Sequence, residues 1–259
     1  MTKLKNRIYA VYESPGCEMR VYEDQTPFHL VMEMNLYEIA GPHDLASCNR
    51  EDCLYVTDSY GQNVWKIRRN MNDNSFVTDK WLPSKGLPYT LSVNDDGQLL
   101  MVRQYLPLSS LEIRDSDCRL LLFVLLHNDI HLPWHAVETP IGNFIILHER
   151  LEDGLRSEKV VSEVTRDGQM VIRTFAQRLT NPRYLSLDYD GKVFVADEGF
   201  LTGKVILLQP GLMQHVIICP TGDNSDNINE PTRLFYDDKN KQLIVGAEEF
   251  LYIYTINLY

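Results

Sequence analysis

The chain has 259 residues, 44% hydrophobic and 24% charged, with 36 acidic and 25 basic side chains leaving a net charge of −11. Ordinary glycine and proline contents exclude a disordered or collagen-like chain, and no apolar run approaches the roughly 18 residues of a membrane-spanning helix. The acidity argues against a broadly basic nucleic-acid binder, and Met1 to Arg7 carry charge with no apolar leader behind them, so a soluble, acidic, cytoplasmic protein is expected.

Three strands are predicted first, at Ile8–Glu13, Met19–Glu23 and His29–Met34. From there a repeat takes over. Prolines at 42, 88, 133, 182 and 231 recur 45 to 49 residues apart, each ahead of a short strand, an acidic or glycine turn and a more apolar strand. The clearest copies are Thr90–Arg103 and Tyr184–Asp197, where Asp-Gly separates β-type runs; glycine there accepts the positive φ a tight hairpin needs. Two further strands follow in each complete repeat, such as Val160–Thr165 with Met170–Phe175 and Lys204–Leu208 with Val216–Cys219. Four short antiparallel strands per repeat make a β-propeller blade.

The prolines frame four blades, and the remaining residues supply three strands at the start and three at the end, Arg233–Tyr236, Leu243–Gly246 and Leu251–Ile256. The fold class expected is an all-β, closed six-bladed propeller of four-stranded antiparallel blades, the first and last shortened or sharing strands. Five blades with a strand-exchanged last one is the alternative. Residues 1–259 read as a single domain.

Cysteines 17, 48, 53, 118 and 219 lack metal-site spacing. Cys48 and Cys53 flank a turn across which a disulfide is sterically conceivable, and without a leader the simpler reading is buried thiols.

The runs Leu54–Ile67 and Val193–Leu207 resemble the signature of NHL repeats: an opening proline, a turn glycine, an apolar strand ending in Asp, then a strand that usually begins with a basic residue. The resemblance spans about residues 41 to 259, and the signature Asp is replaced by Arg103, His148 and Gly246 in three segments. It implies a recognition platform or scaffold for protein or RNA, as in the propellers of tripartite-motif proteins and free-standing relatives, and does not imply catalysis.

Propeller geometry places two sets of residues on one face, the top. Those after each proline include His43, Asp44, Tyr89, Trp134, His135, Arg183 and Arg233; those ending each second strand include Asp58, Arg103, His148 and Asp197. These eleven are the candidate binding residues, because they vary in type while the framework repeats. Their alternative is internal: Trp134 and Tyr89 packing between blades, and the two aspartates bonding loop amides. The charged loop 149–159 and the polar connection 221–230 read as solvated segments.

No Gly-x-Ser-x-Gly elbow, His-Glu-x-x-His or glycine-rich phosphate loop is present, so no catalytic residue is assigned. Asp44, Asp58, Asp197, His135 and His148 have the chemistry of a channel metal site for a propeller hydrolase or lyase, and His148 with Asp197 that of an acid–base pair. Arg103 and Arg233 oppose a cation there, and no metal or cofactor is expected. RNA binding would use Arg103, Arg150, Arg156, Arg183 and Arg233 beside Tyr89 and Trp134, against the acids of the same face. A protein or peptide partner is therefore the leading expectation, with no membrane contact.

Overall fold

The computed structural model describes residues 1–12, 17–24, 29–70, 75–83, 88–104, 109–152, 156–177, 179–199, 203–212, 215–219, 230–247 and 250–256, the side chains of residues 152, 156, 215–219 and 250 apart. Its strands form six antiparallel sheets in chain order, the arrangement of a six-bladed β-propeller, and the only described helical segment is a 3-10 turn at Pro210–Leu212. No described helix is long and apolar enough to cross a membrane.

The described residues gather into two compact units, Met1–Val124 and Leu125–Tyr259. The first holds blades 1 to 3. Blade 1 has four strands of its own, because a short strand the sequence does not announce, Thr2–Leu4, pairs with Arg7–Tyr12. That strand carries Lys3, buried in an ion pair with Asp24. The second unit holds blades 4 to 6, of which blade 6 shows three described strands, Pro231–Asp237, Gln242–Ala247 and Phe250–Thr255. The segment 221–229 lies outside the described residues.

Within each unit the sheets stack face to face. Leu4, Tyr9 and Met19 of blade 1 pack on Leu54, Trp65 and Ile67 of blade 2, and Phe194 and Val205 of blade 5 on Leu234 and Leu243 of blade 6. A sheet covered on both faces needs apolar side chains at consecutive positions, which is why Cys53–Asp58, Leu99–Arg103 and Val193–Asp197 are buried throughout. Outer strands have only one covered face. Leu120–Leu125 in blade 3 leaves Leu120, Leu121, Phe123 and Leu125 exposed. The Asp-Gly turns form as the sequence predicts, with Gly97 at φ 75° and Gly191 at φ 83°.

The opening prolines take equivalent places. Pro42, Pro88, Pro182 and Pro231 each start a first strand and pair with the end of the second strand, at Asp58, Arg103, Asp197 and Ala247. Ala247, not Gly246, thus faces the proline in blade 6. In blade 4 the strand His131–Glu138 starts two residues ahead of Pro133.

Candidate functional site

A break in register follows the proline of every first strand in blades 2 to 6. His43 and Asp44 together oppose Thr57, Tyr89 and Thr90 oppose Val102, and Arg183 and Thr232 are each extra residues. In blade 4, Leu132, Pro133 and Trp134 lie opposite His148. Proline has no N–H to donate to a ladder, so the pairing gives way beside it. A bulge re-aims the side chains it carries, and recurs beside binding sites. The positions chosen from sequence as those after each proline are therefore at or beside the bulges.

Burial divides the eleven candidates. Asp44, Asp58, Arg103, His135, His148 and Asp197 are buried, while His43, Tyr89, Trp134, Arg183 and Arg233 keep part of their surface in solvent. The buried acids are committed to backbone. Asp58 accepts from Gly41 N at 3.0 Å, Gly61 N at 2.8 Å, Ala40 N at 3.4 Å and Trp65 Nε1 at 3.3 Å. Gly61 leaves the room for this, since a Cβ there would collide with Asp58 Oδ2. Asp197 does the same in blade 5, accepting from Thr180 N at 3.0 Å and Asn181 N at 2.6 Å, with Lys204 Nζ 3.3 Å away. Each carboxylate clasps the chain leading into its own blade, and the buried Gly41 amide and Trp65 indole depend on Asp58 for their acceptor. Asp44 acts between blades 2 and 3, accepting from Leu91 N at 2.8 Å.

Arg103 is not a surface anchor. Its Nε lies 2.6 Å from Glu112 Oε1 on the next strand, and its Nη2 donates to Oε2 at 3.3 Å, so the guanidinium is held inside the blade in a buried ion pair. Glu112 also receives Arg114 at 2.8 Å. His135 meets Tyr184 in a tilted ring contact with centroids 3.8 Å apart, and the Arg233 guanidinium lies 5.3 Å from that same ring.

His148 borders a cavity of about 310 Å³ with His131, Arg150, Ser162 and Thr174. Its Nδ1 donates to the Glu149 carbonyl at 2.8 Å, and its Nε2 accepts from Ser162 Oγ at 2.8 Å. Ser162 Oγ in turn lies 2.9 Å from Thr174 Oγ1. Burial drives the imidazole pKa down to about 4, so it is neutral at physiological pH. A Ser–His hydrogen bond is the first half of a nucleophile, but Ser162 is 0% exposed and sits within a strand ladder. The sequence pairing of His148 with Asp197 is replaced by these partners, since the Asp197 carboxylate goes to Thr180, Asn181 and Lys204.

Two groups of accessible candidates come together, one in each unit. In the first, His43 and Tyr89 meet with ring centroids 4.6 Å apart. In the second, a continuous chain runs from Trp134 to Arg183. Lys159 Nζ lies 4.2 Å from the Trp134 ring centroid and donates to Asn181 Oδ1 at 2.7 Å. Asn181 Nδ2 donates to Glu198 Oε2 at 2.7 Å, and the same oxygen accepts from Arg183 Nε. Burial, then the charge of Arg183, lowers the Lys159 pKa. The ammonium held over the indole adds to the attraction a desolvated cation has for an aromatic face. Trp134 also rests on the apolar cluster of blades 4 and 5.

Sequence reasoning missed Lys159, Asn181 and Glu198 as members of this group. The sequence pattern puts Lys159 in a solvated charged loop, 149–159, whereas it belongs to the strand Arg156–Val164; the stretch 153–155 lies outside the described residues. The adjacency of Glu198 to the signature Asp197 was the available signal. Among the described residues, no three His, Cys, Asp or Glu side chains converge as a metal-ligand set.

No known family profile matches the chain, and no curated protein is recognisably similar to it in sequence. Solved structures do resemble it. A protein of unknown function from Bacteroides caccae superposes with a TM-score of 0.65 at 13% identity, covering 93% of this chain and 82% of that one. A gluconolactonase from Xanthomonas campestris gives 0.62 at 14%, covering 83% and 72%. A chain of a nidogen–laminin complex gives 0.61 at 13%, covering 93% and 89%. At such identities the likeness is one of fold alone, and that fold is the six-bladed β-propeller.

Proposed function

We propose that the chain is a non-enzymatic recognition propeller of NHL type, cytoplasmic, that binds a protein or peptide partner where its first strands begin. The observation that carries this reading is the bulge beside every opening proline in blades 2 to 6. The framework repeats there while the side chains presented differ: His43, Tyr89, Trp134, Arg183 and Thr232. In the second unit, Trp134, Lys159, Asn181, Glu198 and Arg183 form one connected surface that offers an aromatic face, a cation and both hydrogen-bond polarities. That mixture suits side chains and backbone of a polypeptide better than a phosphate backbone, because Glu198 offsets Arg183.

The second reading is lactone hydrolysis, favoured by the fold likeness to gluconolactonases. Against it stands the commitment of Asp44, Asp58 and Asp197 to backbone amides. Gluconolactone opening faster than the spontaneous rate, and lost with Asp197→Ala in a folded variant, would decide for hydrolysis.

For recognition, the test compares Arg183→Ala and Trp134→Phe with Asp190→Ala, whose side chain is exposed on an Asp-Gly turn. Once a partner is captured, Arg183→Ala is expected to weaken binding by about 2 kcal/mol, or roughly 30-fold, with a near-unchanged melting temperature. Trp134→Phe keeps most of the packing and weakens binding less. Equal affinity of all three variants would refute the surface.

A further inference from the structure

Cys48 ends the strand Pro42–Cys48 and Cys53 begins Cys53–Asp58, and the two are register partners across the hairpin. Register partners project from the same face of a sheet, so their thiols share one place. Both are free and fully buried, in the apolar cluster that includes Tyr55, Leu91 and Leu99. Directly opposed residues have Cα atoms about 4.5 or 5.5 Å apart. Both spacings fall within the ~4.4–6.8 Å that a disulfide spans. Cys48 Sγ also donates to the Gly97 carbonyl of the neighbouring blade at 3.5 Å, and on the remaining side the sulfurs lie under the turn whose Asn49, Arg50 and Glu51 are exposed.

The surroundings make the two sulfurs unequal. Cys48 shares a hydrogen bond with Cys53 and receives the turn amides of Glu51 and Arg50, which holds its thiol below the ordinary range. Cys53, on the proton-bearing side of that bond and buried, is held above it. A thiolate steadied by turn amides beside a protonated thiol is the division of labour between an attacking and a resolving cysteine.

We propose that Cys48 and Cys53 form a reversible redox site that closes to an intrachain disulfide on reaction with a hydroperoxide. The Cys48 thiolate attacks the terminal peroxide oxygen; the O–O bond breaks, Cys48 becomes a sulfenic acid, and the departing alkoxide or hydroxide takes up a proton. Cys53 sulfur then attacks Cys48 sulfur, the S–O bond breaks, and the hydroxyl leaves as water with the Cys53 proton. Two thiols lose two electrons, and the peroxide is reduced to an alcohol, or to water when it is hydrogen peroxide, with one further water. A dithiol reductant restores both thiols by exchange.

The test treats the full chain with one equivalent of hydrogen peroxide at neutral pH, then alkylates and maps the peptides. Trypsin cuts after Arg50, between the two cysteines, so the disulfide joins two peptides at a mass lower by about 2 Da than the dithiol form. The expected result is that crosslink, reversed by dithiothreitol, forming at least roughly tenfold faster than oxidation of Cys118, whose thiol burial pushes up. In Cys53→Ser, a sulfenic acid on Cys48 is expected, trapped by dimedone. A folded wild-type protein that keeps both thiols under excess peroxide, or that oxidises first at Cys17 or Cys118, overturns the proposal. Should the serine variant fail to fold, the wild-type map still decides.

Discussion

Replacing Asp58 by alanine is expected to destabilise the protein by about 3–5 kcal/mol, and Asp197→Ala by a similar amount. In the first variant the buried Gly41 amide and Trp65 indole lose an acceptor that is itself 1% exposed, and the amides of Ala40 and Gly61, on exposed residues, lose theirs as well. In the second, the amides of Thr180 and Asn181 and the Lys204 ammonium are stranded. A net intramolecular hydrogen bond is worth about 1 kcal/mol, but a buried donor left without a partner bears its whole desolvation cost. Chemical denaturation of each variant beside Asp190→Ala measures this, since an exposed turn carboxylate is expected to stay within about 0.5 kcal/mol of wild type. A similarly small change at Asp58 or Asp197 would show that the clasp adds nothing.

Acid sensitivity is the second large effect. The unfolded His148 imidazole takes up a proton near pH 6.5, whereas in the folded protein burial delays this to about pH 4. Between those values the unfolded state binds the extra proton, so stability falls as pH falls through that window and levels off below it. The depressed pKa corresponds to about 3 kcal/mol over the window. His148→Gln keeps an acceptor for Ser162 and does not titrate, so its stability should decline less steeply by about one proton between pH 6.5 and 4. Parallel curves for the two proteins would show that His148 is not the group responsible.

The sheets were legible because proline, Asp-Gly and consecutive apolar residues act locally: each fixes a strand start, a turn or a doubly covered strand within a few residues. Thr2–Leu4 was not, since three residues with a central lysine carry no alternation, and Lys3 is accommodated only because Asp24 lies beside it. Asp58 and Asp197 were recognisable as signature positions, and their alternative role, bonding loop amides, is the one the structure displays. Arg103 misled. Its partner Glu112 lies nine residues on in the neighbouring strand, and only the pairing register makes the two neighbours. Lys159, Asn181 and Glu198 are legible as a group only once blades 4 and 5 are stacked, because no sequence spacing joins them.

Gly61 owes its place to a neighbour's charge rather than to backbone conformation, with Asp58 Oδ2 occupying the volume where any β-carbon would go. The two positions are therefore one thermodynamic unit. Once a methyl group at 61 has displaced the carboxylate, removing that carboxylate has little left to break, so the two substitutions combine to much less than their sum. Drift at either site is conditional on the other: a side chain at 61 becomes tolerable only in a chain that has already given up its acid at 58 and found another way to hold Ala40 and Gly41.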